Sequence, residues 1–118
     1  MLGLSAIGVA AMLAPTVAVA GSCLSRPAPF VLQSDLAEWS MVVGRGSECI
    51  QGLRGRTMVL ESVPVLEQPK SGQIILQGPS FRYSAGPETG SDTFKLAIVG
   101  TSMRIHGSSV INIDVQIR

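Results

Sequence analysis

The 118-residue chain carries nine Lys/Arg against eight Asp/Glu, a formal net charge of +1, and only 4% of its residues are aromatic. A balance this close to neutral sets up no field to draw the protein onto nucleic acid or an anionic membrane surface, so no nucleic-acid partner is expected. Two cysteines and one histidine are too few side chains for a dedicated zinc site, and no metal or cofactor is expected.

Met1 to Ala20 contain no charged residue. The apolar stretch from Leu2 to Leu13, the helix-breaking Pro15, and small Ala18 and Ala20 ahead of Gly21 have the layout of a secretory signal peptide cleaved after Ala20. Pro15 and the lack of basic flanks argue against a membrane anchor, so no transmembrane segment is expected once the leader is removed. The missing basic n-region leaves open a start upstream of Met1. Residues 21–29 then form an extended arm and residues 30–118 a single domain, about the size at which one core is built.

Cys23 and Cys49 are the only cysteines. An even pair in a small exported domain predicts a disulfide, and closing a loop of about 26 residues stabilises by roughly 3.5 kcal/mol on the chain-entropy model. The alternative is acylation of Cys23, because Val19-Ala20-Gly21-Ser22-Cys23 is a distorted lipobox in which the usual Leu is replaced. That alternative leaves Cys49 unpaired and open to oxidation.

Arg26-Pro27-Ala28-Pro29 is a stiff lead-in, and Phe30-Val31-Leu32 is the expected first edge strand. Trp39, Met41 and Val43 alternate with Ser40 and Val42 as a second strand, with a helical turn at Asp35–Glu38 as the alternative. Glycine-rich bends bracket Cys49, so the disulfide is expected to pin the N-terminal arm to a loop. Thr57 to Glu67 supplies strand residues interrupted at Pro64, which lacks a ladder donor and marks a bulge or edge crossing.

Gln73–Gln77 and Phe81–Tyr83 flank Gly78-Pro79-Ser80 as a hairpin. Asp92 to Val99 places Phe94, Leu96 and Ile98 on one face. In the last strand Ile111, Ile113, Val115 and Ile117 point one way while Asn112, Asp114 and Gln116 point the other. About seven short strands with turn residues between them predict an all-β sandwich with Trp39 as a large core residue.

Pro69/Gly72, Phe81/Tyr83, Gly90/Asp92/Phe94 and the alternating strand Val110–Ile117 occur in an order that resembles the immunoglobulin-like and cadherin-like domains of bacterial secreted and envelope proteins. The resemblance covers about Val63 to Ile117 and implies an immunoglobulin-like β-sandwich and export. It does not extend to calcium binding, because Asp-x-Asp and Asp-Arg-Glu-like clusters are missing. The cysteines are also too close in sequence for the usual inter-sheet bridge between central strands. Asp92 is expected to accept backbone N–H groups in the turn before its own strand.

No GxSxG, HExxH, CxxC or phosphate-binding glycine loop occurs. His106 lies beside Ser108 and Ser109 without the third group a triad needs, and is expected to be a solvated loop histidine. Glu61, Glu67, Glu88, Asp92 and Asp114 are expected on solvated faces. Arg45, Arg54 and Arg56 surround Cys49 on glycine-rich loops, with Arg104 a further candidate, and form the one cluster suited to phosphate or carboxylate.

The chain is thus expected to be a non-enzymatic domain in the periplasm or outside the cell, serving recognition or structural support at the bacterial envelope with a protein or glycan partner. Acylation at Cys23 would instead make it an envelope lipoprotein. The alternative function is a binder of an anionic glycan, lipid headgroup or phosphate through the arginine loops.

Overall fold

A computed structural model describes residues 23–32, 35–53 and 58–118. The expected signal peptide at 1–20 lies outside the described residues, as do Arg54 and Arg56. The described residues are all-β, with two sheets and no helix. In chain order the strands are β1 (Cys23–Arg26), β2 (Asp35–Val43), β3 (Glu48–Gly52), β4 (Met58–Ser62), β5 (Val65–Glu67), β6 (Gln73–Gln77), β7 (Ser80–Ser84), β8 (Gly90–Ser102) and β9 (Ile105–Ile117).

The larger sheet has the order β1-β2-β9-β8-β4, with β5 also paired to β8, and the smaller has the order β3-β7-β6. Strand β2 runs parallel to β9 along its whole length, from Asp35 opposite Ser109 to Val43 opposite Ile117. The other pairings are antiparallel. Period-2 alternation sends Trp39, Met41 and Val43 of β2, Phe94, Leu96 and Ile98 of β8, and Ile111, Ile113 and Val115 of β9 into one core, which Phe81 and Tyr83 of β7 close from the smaller sheet. Phe94 is the centre of its aromatic part. Phe81 meets it edge-on at 5.4 Å, and the Tyr83 ring lies parallel to it at 5.7 Å.

The hairpin β6–β7 forms as expected. Its two-residue turn has φ +55 at Gly78 followed by Pro79, the signs of a type II′ turn, whose twist suits antiparallel strands. Pro64 also acts as expected: it separates β4 from β5, the register on β8 shifts on each side, and the Pro64 carbonyl accepts from the Ala97 amide at 2.9 Å.

Three expectations are corrected. Phe30–Leu32 is not a strand, and the strand at the edge of the larger sheet is Cys23–Arg26 instead. With prolines at 27 and 29 the lead-in lacks ladder donors, and the segment is held by side chains: Leu32 is buried, Phe30 packs on Trp39, the Trp39 indole donates to the Ala28 carbonyl at 2.8 Å, and the Val31 amide donates to the Asp35 carboxylate. Among the described residues the strand count is nine, because β1 replaces Phe30–Leu32, β3 forms around Cys49, and Pro64 splits β4 from β5. The third correction concerns the disulfide. Cys23 and Cys49 are joined, with Cα atoms 5.3 Å apart, but Cys49 sits in strand β3 and not in a loop. The bond therefore ties the larger sheet to the smaller at their edges, and the Ser25 hydroxyl to Gln51 hydrogen bond beside it, at 2.5 Å, crosses the same gap.

Candidate functional site

Strands β8 and β9 form the longest hairpin of the molecule, paired from Gly90/Ile117 at one end to Ser102/Ile105 at the other. Twelve steps of about 3.3 Å separate those ends by roughly 40 Å along the strand. The two ends are built on opposite principles.

At the first end Asp92 is buried, contrary to the expectation of a solvated carboxylate. It accepts from the amides of Lys70 at 2.7 Å, Ser71 at 3.2 Å and Gly72 at 2.9 Å, from its neighbour Thr93 at 2.9 Å, and from the Tyr83 hydroxyl at 2.7 Å. The turn it holds is Pro69–Gly72, some twenty residues back in the chain, and not the turn before its own strand. Burial alone would raise the Asp92 pKa. The Tyr83 hydroxyl and the amides of Gly72, Lys70 and Thr93 outweigh that and bring it down from 3.8 to about 2. Burial, then the bond to Asp92 and its charge, push the Tyr83 phenol upward.

Gly72 completes the clamp by having no side chain. A Cβ there would meet the Tyr83 hydroxyl, would lie 2.5 Å from its ring carbon and would lie 2.6 Å from the Ser84 carbonyl. The Pro-x-x-Gly, Phe-x-Tyr and Gly-x-Asp-x-Phe signatures are thus three parts of one knot: Gly72 makes room, Tyr83 donates, and Asp92 accepts. Every partner of Asp92 is a group of the fold itself, so this end is structural.

At the other end the two turn residues, Met103 and Arg104, have φ +51 and +70. Two positive values in a two-residue connection are the signs of a type I′ turn, whose usual occupants are Asn and Gly. A side chain in the left-handed region costs roughly 1–2 kcal/mol per residue, and Met and Arg lack the short polar group that offsets it. The tip is also exposed, and beside Arg104 it presents apolar side chains to water: Met103 is 79% exposed and Ile105 51%, with Val59 on the opposite face of the neighbouring strand at 66%. Sequence periodicity located the strands but not this turn, since neither residue is a turn former. The faint signal was the pair Gly100 and Gly107, which face each other across the ladder and bracket the tip.

Arg45 and Arg104, the expected arginines among the described residues, fall in different places. Arg45 is exposed in the β2–β3 turn, its amide donating to the Arg118 carbonyl at 2.8 Å, so it stands at the far end of β9 from Arg104. Arg54 and Arg56 lie outside the described residues.

His106 is on strand β9 and not in a loop. Its Nδ1 lies 3.3 Å from Glu61, and the Thr101 hydroxyl donates to the same carboxylate at 2.7 Å. The Thr101 bond, with the charge and hydrogen bond of His106, lowers the Glu61 pKa against a smaller effect of burial. The Ser109 hydroxyl is buried and donates to the Asp35 carbonyl at 3.0 Å, away from the imidazole. Thr101 and Ser109 therefore spend their protons elsewhere than on His106.

On the outer face of the larger sheet, Ser40, Ser91, Asp114 and Gln116 line an open groove of about 660 Å³. Beside it Thr93 and its ladder partner Asp114 are hydrogen-bonded at 3.3 Å.

No protein-family model matches the chain, and comparison with curated proteins gives no significant match. Among solved structures, one chain described as "Structure of PbICP-C in complex with falcipain-2" is similar at 11% identity with a TM-score of 0.41, covering 79% of this chain and 97% of that one.

Proposed function

We propose that the chain is an exported, non-enzymatic immunoglobulin-like domain that recognises a protein partner at the bacterial cell envelope with the tip of the β8–β9 hairpin. The observation that carries this reading is the pairing of strain with exposed apolar surface at Met103–Ile105. A turn that only joined two strands would be more stable with Asn and Gly, so an unfavourable backbone presenting a flexible Met beside an exposed Ile has the composition of a contact surface. A protein suits it better than a glycan. The five aromatic side chains that stack on sugars are all engaged inward: Trp39, Phe81, Tyr83 and Phe94 are buried, and Phe30 packs against the core. Export is supported by the leader-like first twenty residues and by the disulfide, which persists in an oxidising compartment.

Site-specific photocross-linking tests the reading. Benzoylphenylalanine placed at position 103 should capture one discrete envelope protein, and the same probe at position 112, on the open face of the larger sheet, should not. Equal capture from both positions, or none from position 103, overturns it. Washing at high salt separates the apolar contact proposed here from an arginine-driven one, because only the latter weakens steeply with ionic strength.

A further inference from the structure

Strand β6 reads Gln73-Ile74-Ile75-Leu76-Gln77 and, among the described residues, pairs with β7 alone, so one of its sides is an open sheet edge there. The other edge and near-edge strands carry the usual guards against edge pairing. Strand β1 is four residues long and ends in Arg26, β3 carries Glu48, β4 carries Glu61, and β5 carries Glu67 next to the Pro64 break. Among the described residues β6 alone has no charge, no proline and no register shift.

The unpaired groups can be assigned. The two-residue turn is closed by the Gln77/Ser80 pair, and alternation along an antiparallel ladder makes Ile75/Arg82 and Gln73/Ser84 the other hydrogen-bonded pairs. The N–H and C=O of Ile74 and Leu76 therefore point away from β7 into the open edge.

The sequence of this edge is its own complement. Antiparallel pairing about a two-fold axis through Ile75 sets Ile74 against Leu76 of a second copy, Ile75 against Ile75, and Gln73 against Gln77. Ile74 and Leu76 are the two residues with free groups, so this register forms two hydrogen-bonded pairs and four N–H···O=C bonds. It also brings together side chains left half in water, Ile75 at 47% and Leu76 at 40% exposed. Shifting the register by one residue would set the free groups of one strand against committed groups of the other.

We infer that β6 is a self-association edge, and that two copies of this chain join through it into one six-stranded sheet of order β3-β7-β6-β6-β7-β3. The occupant is a second copy because the strand is palindromic in polarity and uncharged, which favours its own image over a charged partner strand. The reading does not depend on the hairpin tip, which belongs to the other sheet. Five residues per copy bury well under the ~1,600 Å² of a standard stable interface, so the dissociation constant should fall at about 10–100 µM.

Sedimentation equilibrium of the oxidised protein from about 1 to 500 µM, a range set by that affinity, should show a monomer–dimer equilibrium. Ile75→Lys places two ammonium groups face to face and should weaken it at least about tenfold. Leu76→Pro removes an edge donor while sparing the ladder to β7, and should do the same. Hydrogen exchange on the unmodified protein needs no variant to fold: the Ile74 and Leu76 amides should gain protection as concentration rises, while Gln73 and Ile75 stay protected throughout. A monomer at every concentration, a dimer indifferent to both substitutions, or concentration-dependent protection on another strand in place of Ile74 and Leu76 overturns the inference.

Discussion

The two ends of the β8–β9 hairpin share one pair of strands and differ in almost every physical respect. At the Asp92 end a buried carboxylate collects four amides and a phenol, so each polar group that leaves water finds a partner. At the Met103–Arg104 end the backbone is in an unfavourable region and the apolar side chains face solvent. The first arrangement lowers the free energy of the fold and the second raises it. Because the two are joined by a rigid ladder about 40 Å long, stability gained at one end holds the other in a shape it would not choose alone.

Disruption of the clamp should produce the largest effect. Asp92→Ala leaves three turn amides and the Tyr83 hydroxyl without their charged acceptor, and should cost about 3 kcal/mol or more in urea unfolding, as hydrogen bonds to a charged group are the strong ones. Gly72→Ala should be of similar severity, because the added methyl must displace the Tyr83 ring and the Ser84 backbone together.

Acid should act on the clamp by about 2 kcal/mol. The Asp92 pKa is depressed in the folded state, so its contribution is fully present above the ordinary 3.8 and is lost as pH falls from there through about 2. Stability measured across that window should drop, and Asp92→Asn should flatten the drop while lowering stability at neutral pH. A Tyr83→Phe variant, which removes one of the five donors, should lose about 1.5 kcal/mol.

The tip should respond in the opposite direction and by the least. Met103→Asn combined with Arg104→Gly supplies the residues a type I′ turn favours and should stabilise the domain by about 1 kcal/mol, raising the thermal midpoint, while abolishing capture of the partner. If the double substitution destabilises the hairpin, the contrast between the ends is lost.

Much of the architecture was legible in the residues. Strict alternation in Trp39–Val43, Phe94–Ile98 and Ile111–Ile117 identifies half-buried strands, since a side-chain period of two has few other physical outcomes. Pro64 announced a break and Gly78-Pro79 a hairpin, because missing donors and fixed φ values act locally. Where the reading failed, distance along the chain was the reason. Asp92 looked like an exposed carboxylate because its partners are a turn some twenty residues earlier and a tyrosine on the other sheet. His106 looked like a loop residue because the residues after it carry no apolar side chain until Val110. The separation of Arg45 from Arg104 was equally hidden, since nothing in their spacing records that β9 runs its full length between them.

The sequence by itself determined that this protein is built of strands, where most of them lie, and that its two cysteines suit one bond. Those properties follow from neighbours within a few residues: alternation, proline, and turn glycine. Only the tertiary structure decided that the disulfide joins two sheets, that Asp92 locks a remote turn, that one end of the long hairpin is strained and bare, and that β6 is left with an open edge. Each depends on which strands pair, and strand pairing is a long-range outcome that no local window of residues contains.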